Sequence, residues 1–217
     1  MSEMTLYDPN GNRLYLNAEE RAAFLSVARQ RPARDRTLCE TLHYTGCRPS
    51  ELIEITPTRI DLSGGAVTIR SLKKRKYSTG EQKTVYRAVP VPPDYLDTLN
   101  TAHGIREAQK SRKLAHVPIW PLSRVRVWQI VKGVIIEAKI ADAVHRSPKG
   151  LRHGFGINVV IKGIPLHMLC SRKAIMSPLC NSGMSLSCPI ELREFGHGMG
   201  DDERARVKSH RGFGAGR

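Results

Sequence analysis

The chain has 217 residues, enough for one domain of ordinary size, and its 40% hydrophobic and 25% charged residues are typical of a soluble protein. Its longest apolar runs are far too short to cross a bilayer, so no membrane-spanning segment is expected. Because the first residues lack the basic and apolar segments of a secretory signal, we expect a cytoplasmic protein.

Positive charge is a strong signal in the composition. Lysine and arginine number 35 against 20 acidic residues, a formal net charge of +15, and residues 70–132 hold fourteen basic and four acidic residues. An excess of this size favours a polyanionic partner, most simply nucleic acid. Charge alone leaves open a solvated basic face or a ribosomal type of protein, because net charge informs about association and not about fold.

Cysteine and histidine spacing argues against a metal site. The five cysteines are odd in number and form no Cys-x-x-Cys pair, so we expect reduced thiols and neither a disulfide frame nor a zinc site. The histidines have no metal-ligand spacing with them, and no glycine loop for nucleotide phosphates is present. We therefore expect no metal and no cofactor.

In chain order, the first predicted elements are helical. Residues 1–16 are predicted to form a short extended lead with a turn at 8–11, where the sequence reads Asp-Pro-Asn-Gly. Asn17, followed by acidic residues, is an N-cap signal for a helix over 17–30. Further helices are predicted over 35–45, from its apolar spacing, and over 49–55, with proline in its first turn.

A basic hairpin follows these helices. Strands are predicted over 60–62 and 66–70 around a Ser-Gly-Gly turn, and over 84–91 for the return strand. Alternation of Val67 and Ile69 with polar neighbours is typical of a strand with one buried face. The connection between the second and third strands is rich in lysine and arginine.

The second half of the chain is again mostly helical by prediction. A helix over 95–103 is followed by a basic polar stretch over 106–112 and a strand-like segment over 117–120. Ser123 is an N-cap signal for an amphipathic helix that ends at 138. A corner at 147–150 precedes a helix over 151–160; Gly163 is expected to break this helix, and another is expected from residue 165.

Two short, widely separated strings carry the candidate chemistry. Residues 45–52 have the sequence TGCRPSEL and residues 151–155 have the sequence LRHGF, so Arg48 and Arg152 each stand among small residues beside an apolar helical run. The lysine-bearing hairpin lies between them. Two arginines, a hairpin lysine and a nearby histidine are groups suited to hold a phosphodiester and stabilise the negative charge that it gains during transfer.

Taken together, residues 17–170 resemble the catalytic domain of the tyrosine recombinases, the phage integrase family. A Thr-Gly-x-Arg-x-x-Glu-Leu string at a helix corner is matched by TGCRPSEL, and a lysine-bearing hairpin is matched by VTIRSLKKRK and YRAVPVP. His-x-x-Arg followed by His-x-Phe is matched by KGLRHGF at 149–155. The resemblance implies an α+β fold that is mostly helical, with a small antiparallel sheet.

The resemblance also assigns roles to individual residues. In this family a tyrosine hydroxyl attacks a backbone phosphate of DNA, and Arg48 and Arg152 would bind that phosphate through their planar guanidinium forks. Glu51 would orient the arginines. Lys73 falls where the family's hairpin lysine donates a proton to the leaving oxygen as general acid, with Lys74 as a near-equal alternative.

Two further residues complete the implied site. His153 is expected to support it through hydrogen bonding, with a purely structural role as the alternative. Lys149 stands where the family usually has histidine; lysine still donates to phosphate but lacks the acid–base range of histidine near neutral pH. This chemistry consumes no metal or cofactor, and its partner is double-stranded DNA, on which a homo-oligomer is compatible with the resemblance.

The nucleophile of the family is missing from its expected place. No tyrosine occurs after Tyr95, and the Gly-His box and the tyrosine would fall near Ile175 and Met184. Residues 171–217 are rich in glycine and have no helical or strand period, so we predict a lead over 1–16, a recombinase-like domain over 17–170 and a poorly ordered tail over 171–217. A frameshift near the codon for Cys170 and a natural truncated paralogue both account for this tail.

Three functions are compatible with some of these features. The arginine strings favour site-specific DNA recombination or integration by descent, with activity impaired by the missing tyrosine. The alternative is a non-catalytic DNA-binding remnant or regulator of a mobile element. An RNA-binding or ribosome-associated protein fits less well, because simple backbone binding does not require arginine and lysine in this order.

Overall fold

The computed structural model describes residues 6–72 and 84–163. Helices predominate in this part of the chain and accompany one small antiparallel sheet, which confirms the expected α+β class. In chain order the elements are α1 (Ala18–Arg29), α2 (Ala33–Thr45), α3 (Pro49–Leu52), β1 (Ile60–Asp61), β2 (Ala66–Ser71), β3 (Val85–Pro90), α4 (Pro93–His103), α5 (Ile105–Lys110), α6 (Arg124–Glu137) and α7 (Pro148–Ile161).

Capping residues determine where several helices begin. The Asn17 side chain accepts a hydrogen bond from the Glu20 backbone N–H at 2.7 Å, and the Glu20 carboxylate accepts one from the Asn17 N–H at 2.9 Å. This reciprocal pair satisfies two backbone donors at the start of α1. Ser123 caps α6 by accepting from the Arg126 N–H at 3.2 Å. Both N-caps were predicted and both are confirmed.

Other helix boundaries differ from the prediction. Helix α2 begins at Ala33, two residues earlier than expected, because Pro32 has the extended conformation of an N-cap residue. Helix α3 ends at Leu52, because the buried Ile55 leaves the helix and its carbonyl accepts from the Ile119 N–H at 2.9 Å.

The sheet has the order β1-β2-β3, and both strand pairs are antiparallel. Val67 pairs with Val89, and Ile69 pairs with Arg87. Val67 and Ile69 are fully buried, so the predicted alternation along this strand is confirmed. The tip of the hairpin, residues 73–83, lies outside the described residues.

In the middle of the chain, a segment with no predicted element is helical, and the predicted strand at 117–120 is wrong. The basic stretch after residue 104 forms helix α5, anchored by the buried Ile105 and by Gln109, whose amide donates to the Pro57 and Ile60 carbonyls at 2.8 and 2.7 Å. The segment 117–120 forms no strand. Its proline lacks a backbone donor, and the segment is held instead by the burial of Trp120.

Helix α7 begins three residues before its predicted start. Ser147 accepts from the Gly150 N–H at 3.3 Å and caps the helix, with Pro148 at the first helical position. Lys149 therefore lies in the first turn and not in a loop. The positive φ of 71° at Gly163 fits the expected break after this helix. The helix predicted from residue 165 lies outside the described residues.

The lead is tied to α7. A turn over 8–11 is confirmed by the hydrogen bond from the Gly11 N–H to the Asp8 carbonyl at 3.0 Å. Leu16 is buried, and its N–H donates to the Gly150 carbonyl at 3.1 Å. A Cβ atom at Gly154 would overlap the Leu16 carbonyl, so glycine at this place allows the lead to approach the helix.

The core joins the elements that carry the two arginine strings. Helix α2 packs against α1, α4 and α7, and α3 packs against α6 and β2. Fully buried side chains from separate elements include Phe24, Leu38, Leu52, Ile69, Leu99, Val131 and Leu151.

Candidate functional site

A glycine corner joins α2 to α3 and brings the first string against α7. Gly46 has a left-handed backbone conformation, with φ of 56°, and its N–H donates to the Leu42 carbonyl at 3.0 Å. A Cβ atom at this position would overlap the Phe155 ring of α7. Glycine is therefore required at this corner for two reasons: the backbone conformation and the close approach of Phe155.

Glu51 lies at the centre of the site. Its carboxylate accepts from the Arg48 backbone N–H at 3.0 Å and from the Arg48 guanidinium at 2.9 Å. The first bond caps the short helix α3, and the second fixes the Arg48 side chain one turn away. The carboxylate is fully buried, at 0% exposure, while 45% of the Arg48 side chain is exposed.

A second guanidinium reaches Glu51 from the sheet. Arg87 Nη2 on β3 donates to Glu51 Oε2 at 2.9 Å. Arg87 pairs with the buried Ile69 in the strand register and lies two residues from Val89, so it is on the inner face of the sheet. About a fifth of the Arg87 side chain, 21%, is exposed.

The third guanidinium belongs to the second string. Arg152 Nη1 on α7 donates to the Gly46 carbonyl at 2.6 Å and lies 3.6 Å from Glu51 Oε2. Its side chain is 31% exposed. The two strings thus meet through the corner glycine and one carboxylate. We name Arg48, Glu51, Arg87 and Arg152 together the arginine cluster.

The arginine cluster has a surplus of positive charge. Burial by itself would raise the pKa of Glu51, but the hydrogen bonds from Arg87 and from the Arg48 backbone outweigh it and hold this pKa below the ordinary carboxyl value. Three guanidinium groups around one carboxylate leave two positive charges uncompensated within the cluster. Burial, together with the charges of Arg48 and Arg87, lowers the pKa of Arg152.

The geometry suits an anion with several oxygens. The compensating carboxylate is inaccessible, whereas each arginine side chain is partly exposed and its guanidinium has N–H donors beyond those used in the cluster. Planar guanidinium forks match the oxygens of phosphate better than a lysine does.

Comparison with known proteins identifies the family. The family model described as the phage integrase family matches residues 14–173, which is most of the chain and includes the arginine cluster. The chain belongs to the phage integrase family.

Tyrosine recombinases are among its curated relatives. The tyrosine recombinase XerD of Staphylococcus saprophyticus is 30% identical over 139 residues, which cover 61% of this chain and 43% of that protein. The XerD of Xanthomonas campestris is 31% identical over 144 residues, covering 63% and 42%. This integrase-family chain therefore spans less than half the length of the curated relatives that it matches.

Solved structures show the same fold. The crystal structure of XerA recombinase has a TM-score of 0.55 at 20% identity, over 73% of this chain and 54% of that chain. The XerH site-specific recombinase bound to its difH substrate, a pre-cleavage complex, has a TM-score of 0.55 at 21% identity, over 76% and 52%. At these identities the likeness establishes the fold of the integrase-family chain and no further property.

The remaining predicted site residues lie in different places. Lys73 and Lys74 fall outside the described residues. Lys149 is exposed on the first turn of α7. His153 is partly buried; burial first, and then the charge of Lys149, lower its pKa, and the charge of Arg152 lowers it further. The charge of Arg152 thus acts on His153, but no hydrogen bond among the described residues joins the His153 side chain to the arginine cluster.

Arg87 was missed by the sequence reasoning. The string YRAVPVP was noted as the return strand of the hairpin, but its arginine was given no role. A signal was present: Arg87 stands two residues before Val89, the buried residue of that strand, so alternation places a charged side chain on the inner face. A charge on a buried face needs a partner, and Glu51 provides it.

The tyrosines near the hairpin are not directed at the cluster. Tyr95 is buried with its hydroxyl against Thr41, and burial raises its pKa strongly. Tyr86 neighbours Arg87 on the strand and therefore faces the opposite side of the sheet, where the Arg59 guanidinium lies 5.6 Å from its ring centroid. Tyr77, Ile175 and Met184 lie outside the described residues.

The described residues offer neither a metal site nor a membrane span. None of these residues form a group of three or more histidine, cysteine or acidic side chains placed to hold a metal ion. No helix among them is long and apolar enough to span a membrane. Cys47, beside Arg48, is buried, and burial raises the pKa of its thiol to about 11, which makes it a packing residue and not a nucleophile.

Proposed function

We propose that this chain binds double-stranded DNA and holds one backbone phosphate at the arginine cluster, in the manner of site-specific recombination or integration. The observation that carries the proposal is the meeting of Arg48 and Arg152, from strings a hundred residues apart, around the buried Glu51. A structural ion pair needs one cation for one anion. The surplus of guanidinium groups, partly open to solvent, fits an added anion.

The chemistry of the arginines follows from their geometry. A phosphodiester under attack gains negative charge on its non-bridging oxygens, and fixed guanidinium donors stabilise that charge without rearranging. Removing one such donor from a working site costs on the order of 2–4 kcal/mol of transition-state stabilisation. Lys73, with Lys74 as the alternative, supplies the general acid in this proposal, and Lys149 adds a donor from the first turn of α7.

DNA as the partner is supported by charge and by relatives. The formal net charge of +15 favours a polyanion. The XerH structure is that of a recombinase bound to its difH substrate, and a solved Tn1549 transposon integrase is in complex with transposon right-end DNA. We extend this binding to the present chain as part of the proposal, together with a cytoplasmic location and assembly of more than one copy on DNA.

The second candidate is DNA binding without cleavage. No tyrosine follows Tyr95 in the sequence, and Ile175 and Met184 stand where the family's Gly-His box and tyrosine were expected. Neither side chain can attack phosphorus. We therefore propose that the chain as given is catalytically impaired, and that it acts as a binding remnant or regulator wherever no tyrosine is supplied by another protein.

A binding titration tests the first candidate. Fluorescence anisotropy with a short duplex at several salt concentrations should give an affinity that falls steeply with salt, because phosphate contacts release counterions. Arg48→Met and Arg152→Met should each weaken binding, while the matched control Arg34→Met, which removes an exposed charge paired with Asp35, should not. Salt-independent binding, or equal effects of all three variants, would contradict the proposal.

A suicide substrate separates the two candidates. With nicked duplex DNA and denaturing electrophoresis, the chain alone should give no DNA-linked protein band. A band that appears with wild-type protein and disappears in Arg48→Ala would show that a nucleophile is present after all.

A further inference from the structure

The proposed function counts the charge of Arg87 in the arginine cluster but gives this residue no task of its own, although it makes the shortest described side-chain contact to Glu51 Oε2, at 2.9 Å. It comes from the sheet, whereas Arg48 and Arg152 come from the two helix-corner strings. It is also the least exposed arginine side chain of the cluster, at 21%. These features set Arg87 apart from a surface arginine of the hairpin.

Glu51 Oε2 is a shared acceptor. The Arg48 backbone N–H donates to it at 3.0 Å and Arg87 at 2.9 Å, while Arg152 Nη1 stands back at 3.6 Å. The same Arg152 nitrogen donates to the Gly46 carbonyl at 2.6 Å. Arg87 therefore occupies the place on Oε2 that Arg152 would otherwise take.

Without Arg87, a different guanidinium would pair with the Glu51 carboxylate. A buried carboxylate that loses a charged donor draws the next nearest cation towards it, because an unpaired buried charge is costly. Arg152 is that cation, less than 1 Å beyond hydrogen-bond distance from Oε2. If Arg152 moved to Glu51, it would lose its hydrogen bond to the Gly46 carbonyl. The carboxylate would then compensate the positive charge of Arg152.

We propose that Arg87 is a positioning residue: by holding Glu51 Oε2 it keeps Arg152 on the Gly46 carbonyl, with the charge of Arg152 directed to a DNA phosphate. This inference rests on the proposed function, because it explains how the same phosphate site is kept open. Arg87 acts through Glu51 and Arg152 and does not itself touch the phosphate.

The electrostatics agree with this arrangement. After burial, which acts in the opposite direction, the hydrogen bond from Arg87 is the leading cause of the lowered pKa of Glu51. Arg87 thus stabilises the ionised carboxylate in which both oxygens accept hydrogen bonds.

A double-mutant cycle in duplex binding tests the inference. Arg87→Met should weaken binding by about tenfold in the wild-type background and by less than about twofold in the Arg152→Met background, because its effect runs through Arg152. Arg87→Lys should restore most of the affinity, since an ammonium can still pair with Oε2.

The matched control is Arg70→Met. Arg70 lies on the neighbouring strand β2, pairs with Glu54 at 3.3 Å and carries the same charge, so this variant measures the cost of losing one cation from the sheet. We expect about a twofold effect at most, since the pair is partly exposed. Far-UV circular dichroism and thermal unfolding establish that each variant is folded, and Arg87→Gln replaces Arg87→Met in the same cycle if the methionine variant does not fold.

The outcomes separate the inference from the proposed function. Equal weakening by Arg87→Met in both backgrounds would overturn the inference and make Arg87 a direct phosphate ligand. An effect no larger than that of Arg70→Met would overturn it as well. If Arg152→Met alone leaves duplex affinity unchanged, the proposed function itself is wrong.

Discussion

Two arginine sites lie at the C-terminal end of α2, and they differ in what surrounds the charge. In the arginine cluster, three guanidinium groups share a buried carboxylate, and the arginine side chains are 21–45% exposed. At the second site Arg21 is only 5% exposed, and among the described residues no ion pair joins it to a carboxylate. Its guanidinium donates instead to the His43 and Leu151 carbonyls, at 3.1 and 3.2 Å. We name this second site the Arg21 junction.

The difference shows that arginine can serve either as a buried donor to backbone carbonyls or as a partly exposed charge available to an anion. His43 is in the last turn of α2, where backbone carbonyls lack a partner within the helix, so Arg21 satisfies one of them and links it to α7. Burial lowers the pKa of Arg21 to about 10, and its guanidinium lies 5.9 Å from the Phe155 ring centroid. The Arg21 junction is thus buried and structural, whereas the arginine cluster is partly exposed to solvent and has more positive than negative charge.

The largest expected effect concerns the buried acid of the cluster. Glu51→Gln should lower the free energy of unfolding by about 3 kcal/mol, because three guanidinium groups lose their shared anion. The control Glu54→Gln removes a carboxylate that is 35% exposed and has a single ion pair, and should cost less than about 1 kcal/mol. Urea unfolding measures both. Equal losses would show that Glu51 is not the centre of the cluster.

Two glycines with positive φ, Gly46 and Gly65, separate the cost of backbone strain from the cost of a tertiary overlap. Gly46→Ala should cost about 3 kcal/mol, since it adds overlap with Phe155 to the strain of a positive φ. Gly65 has a similar φ of 69°, but a Cβ atom there would meet open space. Gly65→Ala should therefore cost only about 1 kcal/mol. Thermal unfolding of the two variants separates the contributions; similar losses would mean that Phe155 yields readily.

Arg21→Met should mainly lower stability, whereas Arg152→Met should mainly change the salt dependence of DNA binding. Arg21→Met leaves the His43 carbonyl at the end of α2 without a donor and should cost about 2 kcal/mol of stability, with no change in the salt dependence of DNA binding. Arg152→Met should reduce the slope of log affinity against log salt by about 1, at a smaller cost in stability. A reduced salt slope in Arg21→Met would place that residue at the DNA surface.

The smallest expected effect is in the pH dependence of stability. Burial first, and then the charges of Arg21 and Arg29, hold the pKa of His43 well below its ordinary 6.5, so the unfolded chain binds more protons and stability is lost as the pH falls below 6.5. The lowered pKa of Glu51 gives a second loss below its ordinary value of 4.5.

The variant His43→Leu separates the two steps. It should reduce the first loss by about 1 kcal/mol and leave the second in place. Because burial also lowers the pKa of His103 and His153, the first step should shrink and not vanish. Urea unfolding at a series of pH values provides the measurement, and an unchanged first step would assign it to the other histidines.

Much of the fold could be predicted from the sequence. The caps Asn17 and Ser123, the antiparallel hairpin and the two arginine strings were recognised from residues close together in the chain. The strand expected at 117–120 was wrong, and the basic stretch over 106–112, for which no element was predicted, belongs to a helix, because Trp120 and Gln109 are held by contacts with distant residues. Local preference did not decide these two segments.

The candidate site divides in the same way. The sequence by itself determined Arg48, Glu51 and the glycine corner as a unit, because they are neighbours on one short helix and its cap. Only the tertiary structure decided that Arg87 joins Glu51, that Arg152 donates to Gly46, and that Arg21 is closed off while the cluster stays open. These contacts link residues from 22 to 130 positions apart, and such pairs form only when packing of α1, α2, β3 and α7 brings them together, which no local pattern of residues records.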